Sequence, residues 1–493
     1  MKKWIINNVK LRLCMVVLSF PFNAFANPQN TLSLPSALQF NGESSFIVEY
    51  QMPKLQDSIS AEAKQALIKS VDKQFKATLS KKLSAKIGES FSFVPGAVAS
   101  LDQNELNQIK QNPFIKSVYQ NRIRRINLGQ SRNLVLPGAS KSRHSGKGQT
   151  IAILDTGVDT GHSFFKTDGV SRVVSEACFT RGGFLREFRE IFSLCPNRSR
   201  VEMGTGAGVD CTRLGIDGCD HGTHVAGIAA GNDGVANQAN LMVIQVFTGL
   251  RDIFRRNICG TGFGDSCIVA FDSDIVFALE HVYAARASFN IAAVNLSLGG
   301  GLFNGSCNFE VPAMTDIINR LREAGIATVI ASGNDGASSA VSHPGCISSA
   351  ITVGATSDFT GVIGSNSNLA VFKDERVFYS NNSSIIDLYA PGTLIRSSVP
   401  GNGFANFNGT SMAAPHVAGA FAVVKAANQE LTSDEIEAVF KSVGPTISHN
   451  GIDRSRVNVS RALQQFGLFT PSVPMWIIMT LLEDQQTNED AAP

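Results

Sequence analysis

Apolar and polar positions divide the chain into stretches of different period. From Ser45 to about Tyr119 short alternating runs are mixed with helical spacing. Phe46–Tyr50 reads as a strand and Ala61–Leu83 as a Lys-rich amphipathic helix. Phe91–Val94 and Gly96–Ser100 read as two further strands. Asp102 opens a second helix, with Glu105 three residues on as in a capping box. That helix ends near Asn112-Pro113, and Ile115–Tyr119 forms a last strand. The order β-α-β-β-α-β predicts a small ferredoxin-like α+β unit over 45–120.

From Gly148 the pattern changes to continuous apolar strands separated by helices. The strands are Thr150–Leu154, Leu241–Val246, Ile291–Leu296, Ile326–Ile330 and Ala350–Val353. Helices are expected at Val225–Ala230, Ile268–Ala287, Val311–Ala324 and Ser433–Val443, and Val459–Phe466 reads as helix or strand. One more helix starts at Ser411 and is apolar almost all round (Met412, Ala413, Val417, Ala418, Phe421), so it should run through the core. Apolar strands alternating with helices predict an α/β fold of three layers, a mostly parallel sheet with helices on both faces.

The flanks differ. Lys2, Lys3, Lys10 and Arg12 precede an apolar run from Leu13 to Phe22 and then Ala24-Phe25-Ala26, which reads as a secretory signal peptide over 1–26. The run is about half of what a membrane span needs. Residues 27–44 form a polar spacer, and 121–147 a basic linker in which Arg122, Arg124 and Arg125 offer a cut site. Residues 467–493 form a tail: Pro471-Ser472-Val473-Pro474 precedes an apolar run, Met475–Leu482, and an acidic end. The run is too short to span a bilayer and reads as a packed strand or as a processing or sorting segment.

Composition narrows the function classes. A net charge of +2 gives no electrostatic case for nucleic acid or an anionic membrane. The arginines between Arg172 and Arg213 are interleaved with Glu176, Glu187, Glu190, Glu202 and Asp210, as on a solvated loop surface. Of nine cysteines Cys14 lies in the leader, leaving eight in an exported chain, which argues for disulfides. Zinc is the competing use, but no C-x-x-C pair occurs and histidines are sparse. Eight cysteines allow 105 full pairings. The simplest is sequential: Cys178–Cys195, Cys211–Cys219, Cys259–Cys267 and Cys307–Cys346.

Functional groups of parallel sheets gather beyond the C-terminal ends of strands. Asp155 follows the first strand, His221 starts a helix, Asn334 ends another strand and Ser411 heads the buried helix. Alone, each has an ordinary reading: an Asp that caps a turn, a structural His, a Ser that caps a helix. Four such residues on one expected sheet edge, all flanked by glycine, point to chemistry instead. Ser411 is a weak nucleophile until a base takes its proton, and His221 titrates near neutrality. Asp155 would hold the imidazole tautomer, and the Asn334 amide would donate to an oxyanion.

Asp155-Thr156-Gly157, His221-Gly222-Thr223-His224-Val225-Ala226-Gly227 and Gly409-Thr410-Ser411-Met412-Ala413-Ala414-Pro415-His416 resemble the three signatures of subtilisin-like serine proteases. The chain order Asp, His, Ser agrees with that family. The resemblance covers roughly residues 130–466 and implies a catalytic domain over 148–466. It implies that Asp155, His221 and Ser411 are catalytic and that Asn334 stabilises the oxyanion. Ser297, Leu298 and Gly299 would bind extended substrate and form one wall of the S1 pocket, with Ala331, Ser332 and Gly333 as the other. Ser342 falls where the family places the pocket floor, often a Gly. The family also implies that 45–120 is an inhibitory propeptide, a chaperone and inhibitor of its own protease that is later cut off. A secreted, extracellular, autoprocessed monomeric endopeptidase acting on polypeptides follows from the resemblance.

No cofactor is implied beyond structural calcium, for which Asp159 is a candidate against its plainer role as a turn carboxylate. His224 and His416 are not catalytic in the family and are expected to pack. The separation of Asp155 from His221 exceeds that of compact relatives, the excess being the segment around Cys178–Cys211. Two rivals stand beside this reading. A catalytically silent binding protein of the same fold is disfavoured because no motif position carries an inactivating change. An esterase with another triad lacks a G-x-S-x-G elbow around Ser411.

Overall fold

Alternation of apolar side chains in the first long strand, β1 (Glu43–Tyr50), sends Val48 and Tyr50 to one face and Ile47 to the other. The computed structural model describes residues 39–40, 43–53, 61–92, 94–120, 123–124, 135, 144–181, 191–251, 266–362 and 370–468. The expected signal peptide, most of the spacer and linker, Cys259 and the apolar tail run Met475–Leu482 lie outside the described residues.

Beyond β1, the N-terminal unit comprises α1 (Ala61–Ala77), β2 (Ile87–Ser90), β3 (Gly96–Leu101), α2 (Gln103–Lys110) and β4 (Ile115–Gln120). Its strands lie in the order β2-β3-β1-β4, all antiparallel, the ferredoxin-like topology expected. Val48, Tyr50, Ala97, Ala99 and Leu101 face the unit's own helices, whereas Ile47 and Val98 face the large domain. The Asp102–Glu105 capping box forms as read. Two expectations fail. The helix stops at Ala77, and Ser80 caps a separate short turn, Lys81–Ser84. The strand expected at Phe91–Val94 lies at Ile87–Ser90 instead, because Phe91 and Val94 are apolar in order to meet the large domain.

The large domain is built on an eight-stranded sheet. Its elements, in chain order after the two-residue strand β5 (Ile123–Arg124), include β6 (Thr150–Asp155), β7 (Val173–Phe179), β8 (Val201–Met203), α3 (His221–Ala230) and β9 (Asn240–Gln245). Then come β10 (Ser266–Phe271), α4 (Asp272–Ala285), β11 (Ile291–Leu296), β12 (Gly300–Phe303), α5 (Pro312–Glu323), β13 (Ala327–Ala331) and β14 (Val341–His343). The last are β15 (Ile351–Thr356), β16 (Leu388–Pro391), β17 (Ile395–Val399), β18 (Gly403–Phe407), α6 (Thr410–Ala427), α7 (Ser433–Val443) and α8 (Val459–Gln465).

The sheet runs β8-β7-β9-β6-β11-β13-β15-β16, parallel throughout except for the edge strand β8. In β6, Ile151 and Ile153 enter the core shared with α3, α6, α7 and α8, while Ala152 and Leu154 enter the core shared with α4 and α5. Both faces are thus covered, as the continuous apolar strands require. The long helix expected over Ile268–Ala287 divides. Its first part is β10, a β-branched run that pairs with neighbouring strands, and helix begins only at Asp272. Asp272 and Asp274 in its first turn suit the positive dipole end.

Disulfides join Cys178 to Cys195, Cys211 to Cys219 and Cys307 to Cys346, as the sequential pairing had it. Cys267 is also disulfide-bonded.

Candidate active site

Strand β6 delivers Asp155 to the sheet's C-terminal edge, and α3 begins with His221 beside it; both are fully buried. His221 Nδ1 lies 2.7 Å from Asp155 Oδ1, which also accepts the Thr156 N–H at 2.7 Å. The approach depends on glycine. A Cβ on Gly222 would lie 2.2 Å from the Gly157 carbonyl oxygen. Thr156 Oγ1 then accepts the Gly222 N–H at 2.9 Å, tying the start of α3 to the loop after β6.

Ser411 stands in the first turn of α6, whose residues from Thr410 to Val424 are all buried. Pro415, four residues on, has no N–H to return to the Ser411 carbonyl. That carbonyl instead accepts Ser297 Oγ–H at 2.6 Å, and Ser297 Oγ accepts an Asn295 Nδ2–H at 2.9 Å. The Ser411 hydroxyl in turn donates to the Ser297 carbonyl at 3.1 Å. A helix-breaking residue inside a buried helix therefore serves to lock the serine to the end of β11. Helices α3 and α6 pack against each other.

Asn334 lies three residues beyond β13, not at its end. Its Oδ1 accepts the Thr410 N–H at 2.8 Å, and Thr410 Oγ1 accepts the Gly333 N–H at 3.2 Å. The Asn334 side chain is thereby tied through Oδ1 to the first residue of α6. Gly299 and Gly333 approach Ser342 from two directions. A Cβ on Gly299 would lie 3.1 Å from Ser342 Cβ, and one on Gly333 would lie 2.2 Å from Ser342 Oγ. Gly333 also has φ near +97°, which favours glycine. Gly299 and Gly333 thus both pack closely against buried Ser342.

A model of the peptidase S8 subtilase family matches residues 146–455, well over half of the chain. The chain belongs to the subtilase family. Subtilisin E of Bacillus subtilis (strain 168) is 27% identical over 394 residues, covering 77% of this chain and 83% of the relative. Alkaline serine exoprotease A of Vibrio alginolyticus is 26% identical over 423 residues, covering 81% of this chain and 64% of the relative. A solved structure of a cold-adapted subtilisin-like serine proteinase is similar with a TM-score of 0.46 at 25% identity, covering 67% of this chain and 95% of that one. This subtilase is a serine protease of the subtilisin type.

One residue that organises the subtilase site, Asn381, carries no signal in the sequence. Asn381 Oδ1 accepts N–H groups from Asp335 and Ala337, both at 3.0 Å, while its Nδ2 donates to the Ser332 carbonyl at 3.0 Å. Within a run of short polar residues it reads as loop. Asp159, the calcium candidate, has Oδ1 on the Gly161 N–H (3.1 Å) and Oδ2 on the Gly401 N–H (2.9 Å). Oδ1 thus serves Asp159's own turn and Oδ2 the turn between β17 and β18, and among the described residues no group of three or more His, Cys, Asp or Glu could hold a metal ion.

The N-terminal unit meets this domain at α4, the start of α5 and β10. Buried Glu280 of α4 accepts the N–H groups of Ser92 at 2.7 Å and Val94 at 2.9 Å. The Phe91 and Phe277 rings lie 4.8 Å apart, and Tyr119 Oη accepts the Ala313 N–H at the start of α5. Strand β5 then pairs antiparallel with β10, Arg124 opposite Ala270 and Ile123 opposite Phe271.

Proposed function

We propose that this subtilase is a secreted, self-processing endopeptidase using Asp155, His221 and Ser411 as its catalytic triad. The observation that carries the reading is the buried 2.7 Å contact between Asp155 Oδ1 and His221 Nδ1 at the same sheet edge as the locked Ser411. Asp155 holds the imidazole with its proton on Nδ1, leaving Nε2 as the base. His221 takes the Ser411 proton as the hydroxyl oxygen attacks a peptide carbonyl. Charge develops on the carbonyl oxygen, and Asn334 Nδ2–H donates to it. His221 then protonates the leaving amine, and water repeats the sequence on the acyl-enzyme. These side chains supply nucleophile, base and oxyanion donor, so no cofactor is required, and chelation with EDTA is expected to leave kcat unchanged.

Substrate polypeptide adds as a strand along Ser297, Leu298 and Gly299, and Ala331, Ser332 and Gly333 close the opposite side of the P1 pocket. The N-terminal unit is the protease's own inhibitor and folding aid. Supporting this, β5 already lies on β10 as an added strand, and Glu280 holds the loop before β3. Val135 belongs to the large domain's core and accepts the Val459 N–H, so the maturation bond falls between Arg124 and Val135. The leader at 1–26 directs export, and the near-neutral charge suits an extracellular monomer without nucleic-acid partners.

The test is turnover of a peptide anilide together with a pre-steady-state burst from an activated ester, whose acyl-enzyme accumulates. Ser411→Ala and His221→Ala should each lower kcat by about a millionfold, the loss tabulated for a subtilisin relative of this chain. A folded wild type that shows neither burst nor turnover would make the chain a silent binding protein of the same fold.

A further inference from the structure

The ribbon β17–β18 carries none of the triad, yet its bonds reach the three segments that do. Toward α3, Ser397 Oγ donates to the His224 carbonyl at 2.8 Å and Ser398 Oγ to the Thr223 carbonyl at 2.9 Å. His224 Nε2 sits 3.0 Å from the Ile395 carbonyl and 3.2 Å from that of Ala405. Those two residues lie on opposite strands and are not paired with each other, since Ile395 faces Phe407 and Ser397 faces Ala405. One imidazole therefore bridges the ribbon, and its ring stacks on Phe407 at 4.1 Å. Gly227 leaves no gap here, as a Cβ would lie 2.3 Å from both Ser397 Oγ and Ser398 Oγ.

Toward the loop after β6, Gly401 N–H donates to Asp159 Oδ2, Asn402 Oδ1 accepts the Ser163 N–H at 2.8 Å, and His162 Nε2 lies 3.1 Å from the Gly403 carbonyl. Toward α6 the ribbon runs directly into Asn408-Gly409-Thr410-Ser411. Leu394 N–H donates to Asn408 Oδ1 at 2.9 Å, and Gly409 N–H to the Gly392 carbonyl at 2.8 Å.

We propose that the β17–β18 ribbon is a clamp that registers the Asp155, His221 and Ser411 segments against one another, with His224 as the positioning residue that pins it to α3. The inference rests on the triad reading above. A displacement of about 1 Å between nucleophile and base lowers rates by about a hundredfold, so a clamp of this kind acts on kcat.

The test uses the mature enzyme, a short peptide anilide, and burst titration to count competent sites. His224→Leu keeps the volume but loses the donor, and should lower kcat per titrated site ten- to a hundredfold with KM within twofold of wild type. Its acid limb in the pH–kcat profile should also shift, because His221 is displaced from Asp155. His224→Gln, whose amide N–H can reach one of the two carbonyls, should recover part of the loss. Asn402→Gly removes the acceptor for Ser163 while glycine suits the φ near +58° at that position, so it should fold normally and lower kcat two- to fivefold. Wild-type kcat per titrated site in His224→Leu and Asn402→Gly, or an effect on KM alone, overturns the clamp. A wild type that titrates no sites overturns the triad reading instead.

Discussion

At the scale of single residues, side-chain orientation is set by backbone partners. Asn334 is held through Oδ1 by the Thr410 N–H. Asn334→Leu should therefore lower kcat by about a hundred- to a thousandfold with little change in KM, a magnitude known from a subtilisin, a relative of this chain. Ser342 meets Gly299 and Gly333. Ser342→Gly should raise kcat/KM for large P1 residues such as Phe relative to Ala, read from a peptide-library cleavage profile. His224 gives a pH prediction. Burial pushes its pKa from near 6.5 down to about 3. Between those values the unfolded chain carries a proton that the native state refuses, so stability is full above pH 6.5 and falls as pH drops toward 3. Melting temperatures across that range, measured in a Ser411→Ala background to prevent autolysis, should fall less steeply when His224→Gln is added.

At the scale of elements, what the sequence made legible was whatever local chemistry demanded. Asp155, His221 and Ser411 stand out because each occurs in a glycine-flanked turn at the end of a strand or the head of a helix. Helix α6 is recognisable from its apolar surface, and its Pro415 becomes meaningful only beside Ser297. Other elements were ambiguous for physical reasons. Ile268–Phe271 satisfies strand and helix patterns alike, and only pairing with β5 and the strand Phe247–Arg251 decides between them. Phe91 and Val94 were apolar for an interface rather than for a strand. The β17–β18 ribbon acts through Ser397, Ser398 and Asn402, short polar residues that no periodicity distinguishes from loop. The docking of Glu280 is likewise a long-range match of one carboxylate to two N–H groups. Glu280→Ala leaves those donors without their acceptor, a loss of about 1–3 kcal/mol. Hydrogen exchange at the Ser92 and Val94 amides of the uncut Ser411→Ala precursor should then accelerate by roughly ten- to a hundredfold.

At the scale of the whole molecule, the proposed function would set inhibitor, tether and protease along the chain in the order in which they act. The N-terminal unit closes one face of its sheet with its own helices and spends the other on the large domain, so release of that unit exposes Ile47 and Val98 as well as freeing β10. Ser411→Ala should halt maturation and leave an uncut precursor, whereas N-terminal sequencing of the active form should begin after Arg124 and no later than Val135. All of this depends on Ser411 being a nucleophile made reactive by His221. A fluorophosphonate probe with peptide mapping measures that directly. Labelling of the wild type is expected at Ser411 alone and should vanish in His221→Ala. A folded, mature enzyme that stays unlabelled, or one whose Ser411 labels equally well without His221, would contradict it.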